Sequence, residues 1–310
     1  MRIRTALALL ATAGVAGVVA TWPRPGQAVA RASFALAERQ AGLSRHTAHV
    51  NGVPISYLAG GPSDKPVLLL VHGYTADAST WAAFARHLTR DFRVIVPDLP
   101  AHGRTPFTSG AGYGAPAQAE RVARLVTGLG ISRVHVIGNS MGGFIAAHLA
   151  LAHPDLVASL CLCDAAGVVS TPSDAEAALQ REGANPFLPT DTAGYLRFYA
   201  LVMSRPPFAP RPIVAAMGAD HIARRESYAE VFEDFYQRDY LTERLAEITT
   251  PTLVMWGAED RIVHPDTAVA WAAIADAESI VYDGIGHLPY VEIPARSARD
   301  WRAFVQRHLD

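Results

Sequence analysis

Short apolar runs recur along most of the chain, and between them lie stretches whose apolar residues return every three or four positions. "PVLLLVHG", "FRVIVPDLP", "SRVHVIGNS", "VASLCLCDAA", "PTLVMWG" and "SIVYDG" are of strand length and have few polar positions, as expected of strands covered on both faces. Upstream, "HTAHVNG" and "VPISYLAGG" flank Asn51-Gly52, a dipeptide suited to a two-residue hairpin turn. In residues 117–129, Val122, Leu125, Val126 and Leu129 fall on one helical face; Trp301, Phe304 and Val305 do the same in residues 298–309. Strand and helix in alternation predict an α/β fold: a mostly parallel central sheet with helices on both faces.

The rhythm breaks between residues 167 and 248, where no convincing strand occurs and "NPFLPT" and "SRPPFAPRP" interrupt the helical pattern. A helical insertion between two strands would lie over the carboxyl edge of the sheet, where ligands bind in open α/β folds. The expected organisation is therefore a core from residues 46–166 and 249–310 with a helical cap at 167–248. A plain extra helical layer is the alternative. Phe187, Leu196, Phe198, Met203 and Phe208 could line an apolar ligand channel or could simply be core.

Composition narrows the function. The 310 residues are half apolar, enough for a large core, and 27 basic against 29 acidic residues leave a formal charge of -2. Nothing in that balance offers a footprint for nucleic acid, so a small neutral partner fits better. Cys161 and Cys163 share one face of an apolar strand and read as buried thiols. Arg2 and Arg4 precede an uncharged run at residues 5–22, followed by Pro23, Pro25 and "AVA" at 28–30. Residues 1–30 therefore read as a signal peptide or a membrane anchor, with membrane association as one outcome.

Gly138-Asn139-Ser140-Met141-Gly142 fits G-x-S-x-G at the junction of a strand and a small-residue helix. A serine on such a turn presents its hydroxyl beside a helix N-terminus, and the glycines let neighbouring backbones approach. The hydroxyl needs a base, and the base needs a carboxylate to fix its tautomer. His287 in "YDGIGHLPYVE" follows the last strand in a glycine-flanked loop, and Asp260 in "VMWGAEDRIV" lies just beyond the strand before it. Asp164 at another strand end, and Glu259, are the competing acids. Two backbone N–H groups would complete an oxyanion hole: that of Met141, after the nucleophile, and that of Tyr74, after His72-Gly73. His72-Gly73 could equally be an ordinary strand-end turn.

Together "VHGY", "PDLPAHGRT", "GNSMGG", "WGAEDRIV" and "GIGHLPYVE" resemble the α/β-hydrolase fold superfamily from about residue 46 to the end. More narrowly, "HVIGNSMGGFIAAHLA", "CDAAGV", "ANPF" and "PPFAP" resemble bacterial family V lipases and membrane-anchored monoacylglycerol lipases. Ala101 and Thr105 depart from the glycine and serine common in "PAHG"-type loops, outside the proposed triad. The resemblance implies cleavage of carboxylic esters of glycerol or simple alcohols by Ser140, Asp260 and His287, with no cofactor and no metal. It also implies an exported or membrane-anchored location. A carbon–carbon bond hydrolase of ring-fission products is the rival, with Arg197, Arg205 and Arg261 as conceivable anion clamps. A catalytically silent ligand-binding homologue is a second.

Overall fold

The structure, a computed structural model, describes residues 24–182 and 185–308. The six apolar runs become β3 (Val67–Val71), β4 (Arg93–Pro97), β5 (Val134–Asn139), β6 (Val157–Cys163), β7 (Thr252–Gly257) and β8 (Glu278–Tyr282). The hairpin pair becomes β1 (Leu43–Val50) and β2 (Val53–Gly60). All eight form one sheet in the order β1-β2-β4-β3-β5-β6-β7-β8. Only β2 runs against the rest. At the hairpin, Val50 pairs with Val53 while Asn51 (φ 51°) and Gly52 (φ 82°) take the left-handed conformations that a type I′ turn demands.

Helices cover both faces. In chain order they are α1 (Arg24–Gln40), α2 (Ala82–Ala85), α3 (Ala115–Gly128), α4 (Met141–Ala152), α5 (Asp174–Glu182), α6 (Thr192–Val202), α7 (Arg211–Ala223), α8 (Arg225–Phe235), α9 (Asp266–Trp271), α10 (Pro289–Glu292) and α11 (Pro294–Val305). Because successive strand residues point to opposite faces, each buried strand feeds two cores. Leu69, Val71, Val136, Leu160 and Leu162 pack with residues of α3 and α4; Leu68, Leu70, Ile137, Cys161 and Cys163 pack with residues of α2 and α11. Both cysteines are free, and burial pushes their thiols up in pKa, so they act as small apolar groups.

Two features differ from the pattern-based expectation. β8 is not covered on both faces: Glu278, Ser279 and Val281 are exposed, because β8 is the sheet's edge and no strand lies beyond it. The segment 24–40 is helix, although "RPGQAVARASFALAERQ" carries no wide apolar stripe and buries only Gly26 and Ala30. Pro25 near its start is compatible with a first helical turn. Residues 28–30 thus lie inside α1, which packs against α7, where Gln27 Nε2 donates to Asp220 Oδ1 at 3.0 Å. At the other end of α1, Glu38 and Asp98 both hold the Arg45 guanidinium at 2.7 Å.

Between β6 and β7 the described residues form helices α5 to α8 and a 3-10 turn at Thr242–Glu247, without a strand. The proline-rich "SRPPFAPRP" is a connection whose last proline sits in the first turn of α7. Phe208 in that connection is 95% exposed, so it lines no channel. Phe187 and Phe198 do pack together beneath these helices.

Candidate active site

Ser140 occupies the turn between β5 and α4 with φ 56° and ψ −122°, a backbone conformation that a serine adopts only under constraint. The constraint is visible in the glycines. A Cβ on Gly138 would stand 2.2 Å from the Gly142 carbonyl oxygen, and one on Gly142 would stand 2.4 Å from the carbonyl oxygens of both Val71 and His72. Only hydrogen fits at either position. The Ser140 N–H is tied to the Cys163 carbonyl on β6 at 3.1 Å, which fixes the turn against the neighbouring strand.

His287 follows β8, and its Nδ1 lies 2.7 Å from Asp260 Oδ2. An ionised carboxylate only accepts, so Nδ1 carries the proton and Nε2 is the basic nitrogen of the ring. Asp260 lies three residues beyond β7, and its Oδ1 accepts from the N–H groups of Ile262 (2.8 Å) and Val263 (3.1 Å). Both side chains are buried. β7 and the His287 loop are in close contact: a Cβ on Gly257 would stand 2.0 Å from the Gly286 carbonyl oxygen.

Asn139 joins this pair to the serine turn. Its Nδ2 donates to the carbonyl of His287 and to that of Cys163, both at 3.1 Å, so the residue before Ser140 is bonded to the backbone of the histidine. The G-x-S-x-G pattern by itself gives Asn139 no role. The signal was its position at the end of a buried strand, where a polar side chain needs partners.

The loop after β3 approaches from the other side. A Cβ on Gly73 would lie 3.1 Å from the Ser140 Cβ. His72 Nδ1 donates to the Gly73 carbonyl at 2.8 Å while its Nε2 accepts from Leu99 N–H at 3.0 Å, so His72 is a buried neutral imidazole. Burial lowers its pKa. In a trans peptide the C=O and the next N–H point in opposite directions. Holding the Gly73 carbonyl therefore also aims the Tyr74 N–H. Met141 is the first residue of α4, so its N–H has no partner within the helix. The Tyr74 side chain reaches the other way: its hydroxyl donates to the Tyr228 carbonyl of α8 at 2.6 Å, and its ring packs on Phe187, Phe232 and Phe235. One residue thus connects the serine loop to the helical insertion.

Of the competing acids, Glu259 lies beside Asp260 in sequence but has no hydrogen bond to His287, whereas Asp164 is fully buried and close to both Asp260 and His287. Arg261 is exposed and ion-paired with Asp174 at 2.8 Å, and Arg197 and Arg205 are exposed too, so none of the three is a buried anion clamp. Two clefts border the helical insertion. One of about 380 Å³ lies among α1, α7 and the loop after Tyr74; the other, of about 790 Å³, is bordered by Leu188, Phe198, Leu201 and Arg261. Neither is lined by Ser140 or His287.

His102 predicts a pH response of the fold. Its Nδ1 donates to the Pro100 carbonyl, its Nε2 is buried without a partner, and burial lowers its pKa from 6.5 to about 3. Between those values the unfolded chain binds a proton that the folded one does not, so stability falls as pH drops below 6.5. Melting curves from pH 8 to 4 should show this loss, smaller in His102→Gln.

Comparison with known proteins agrees with this architecture. The family described as alpha/beta hydrolase fold matches residues 66–294. Lipase 1 of Psychrobacter immobilis is 33% identical over 261 residues, 82% of this chain and 81% of that one. Monoacylglycerol lipase ABHD6 of Mus musculus is 26% identical over 295 residues, 90% and 86% of the two chains. A solved structure described as a membrane phospholipase A, a novel bacterial virulence factor, superposes with a TM-score of 0.88 at 33% identity and covers 98% of each chain. The chain belongs to the α/β-hydrolase fold family.

Proposed function

We propose that the protein is a serine hydrolase that cleaves carboxylic esters, with mono- and short- to medium-chain acylglycerols as its substrate class. The observation that carries this reading is the His287–Asp260 bond at 2.7 Å, with the His287 loop tied by Asn139 to the strained serine turn. In the proposed reaction Ser140 Oγ attacks the ester carbonyl and passes its proton to His287 Nε2, while Asp260 holds the imidazolium. The N–H groups of Tyr74 and Met141 receive the oxyanion. His287 then protonates the departing alcohol, and water activated by the same nitrogen releases the acid from Ser140.

The similarity to proteins named lipases and monoacylglycerol lipases supports the choice of esters. The carbon–carbon hydrolase reading would need a cation facing an anionic substrate, and the three arginines considered for it are exposed. Parallel assay of a glycerol monoester and a ring-fission diketo acid separates the two: ester turnover is expected, and turnover of the diketo acid alone would reverse the assignment.

Membrane attachment through residues 5–22 is the localisation that α1 favours. That run lies outside the described residues, and among the described residues no helix is long and apolar enough to cross a membrane. Cleavage after residue 30 would cut α1 and remove Gln27, its partner to Asp220, along with the buried Gly26. A chain starting at Arg31 is expected to lose about 1 kcal/mol of stability in urea melts. The protein recovered from its native host is expected in the membrane fraction with peptides from residues 24–30 still attached; a soluble mature chain starting at Arg31 would refute the anchor.

A further inference from the structure

Asp164 is a buried acid that the proposed reaction does not use. It follows β6 with φ 48°, in the left-handed region, and its N–H is held by the Met255 carbonyl at 2.9 Å. Its Oδ1 accepts from Gly257 N–H at 2.9 Å, and Cys163 Sγ lies 3.3 Å from its Oδ2. One oxygen of Asp164, one of Asp260 and a ring nitrogen of His287 lie within 4.8 Å of one another, all buried. Two carboxylates this close in a dry site do not both ionise. Asp260 has the stronger claim to the charge, because it accepts two backbone N–H bonds and the imidazole N–H, whereas Asp164 accepts one backbone N–H and a thiol.

We propose that Asp164 is a positioning residue that stays un-ionised and donates its carboxyl proton to the carboxylate of Asp260, so that a single negative charge stands behind His287. A second charge there would hold the imidazolium proton too tightly for His287 to act as a base at neutral pH. Loss of the donor would let Asp260 bind that proton more strongly. The titratable groups facing Asp164 are Cys161 and Cys163 on β6, Tyr290 on α10, Asp260 after β7 and His287 after β8. Burial pushes the thiols and the phenol up, so they are neutral. Burial first, and then the charge of Asp260, also push the Asp164 carboxyl well above the usual carboxylate range.

The inference rests on the triad reading, and its test is separable from it. Asp164→Ala is expected to lower kcat/KM about tenfold and to move the acid limb of its pH profile to higher pH. Asp164→Asn, which keeps a neutral donor, is expected to recover most of that loss with the acid limb back in place. Asp164→Ser serves the same purpose should the asparagine variant not fold. If Asp164 were ionised, the neutral variants would instead move the acid limb to lower pH, and that result overturns the proposal. Infrared difference spectra between the wild type and the asparagine or serine variant at neutral pH report the proton irrespective of turnover. The carbonyl band of an un-ionised carboxyl is expected to disappear with Asp164, and no such difference would also overturn the proposal. Retained turnover in Ser140→Ala would sink the triad reading without touching the infrared result.

Discussion

His287→Gln is expected to lower kcat for a soluble short-chain ester about ten-thousand-fold or more while leaving the fold intact. The size of the effect follows from the division of labour in the site. In the proposed reaction the His287 ring nitrogen opposite the Asp260 contact is the one base that takes the Ser140 proton. The fold should survive because the backbone of residue 287 keeps its own bonds: the N–H to the Val202 carbonyl at 3.0 Å and the C=O to Asn139 Nδ2 at 3.1 Å. Steady-state kinetics beside a circular-dichroism melt make the comparison. A variant that turned over ester at near wild-type rate would remove His287 from the mechanism.

The second large effect is structural. Gly142→Ala places a methyl group 2.4 Å from the Val71 and His72 carbonyl oxygens, and both contacts are backbone in the buried centre of the sheet. Neither can move aside as a flexible side chain would. The expected cost is about 3 kcal/mol or more, read as a lower urea midpoint. Activity should fall further than stability alone implies, because the displaced strand end carries the loop of Gly73 and Tyr74. A stable, active variant would mean that the close approach of the two backbones is not a requirement of the turn.

Much of this arrangement is legible in the sequence. The strands could be read because a sheet buried on both faces needs continuous apolar runs, and the same logic fails at β8, where an edge strand needs only one apolar face. The serine turn was legible because close backbone approach leaves a glycine at each flank. α1 was hidden for a different reason: its buried residues, Gly26 and Ala30, are small and Val29 and Leu36 are exposed, so the bulky apolar side chains that mark a packed face are missing. Asp260 is the acid that chain order and the family resemblance favour, and its bond to His287 agrees with that choice, but strand position alone leaves Asp164 in competition. Asp164 and Asp260 both stand at strand ends, and only the three-dimensional paths of their loops decide that Oδ2 of Asp260 meets Nδ1. The role of Asn139, and that of His72 in aiming the Tyr74 peptide, belong to the same class, because each depends on a bond between residues far apart in the chain.

The central claim is that Ser140 is an activated nucleophile. Reaction of the folded protein with a fluorophosphonate, followed by intact-mass and peptide mass spectrometry, tests it most directly. The account predicts one stoichiometric adduct on the peptide carrying Ser140, lost in Ser140→Ala and strongly slowed in His287→Gln. A folded wild-type protein that takes no label, or an adduct on any other residue, would contradict it.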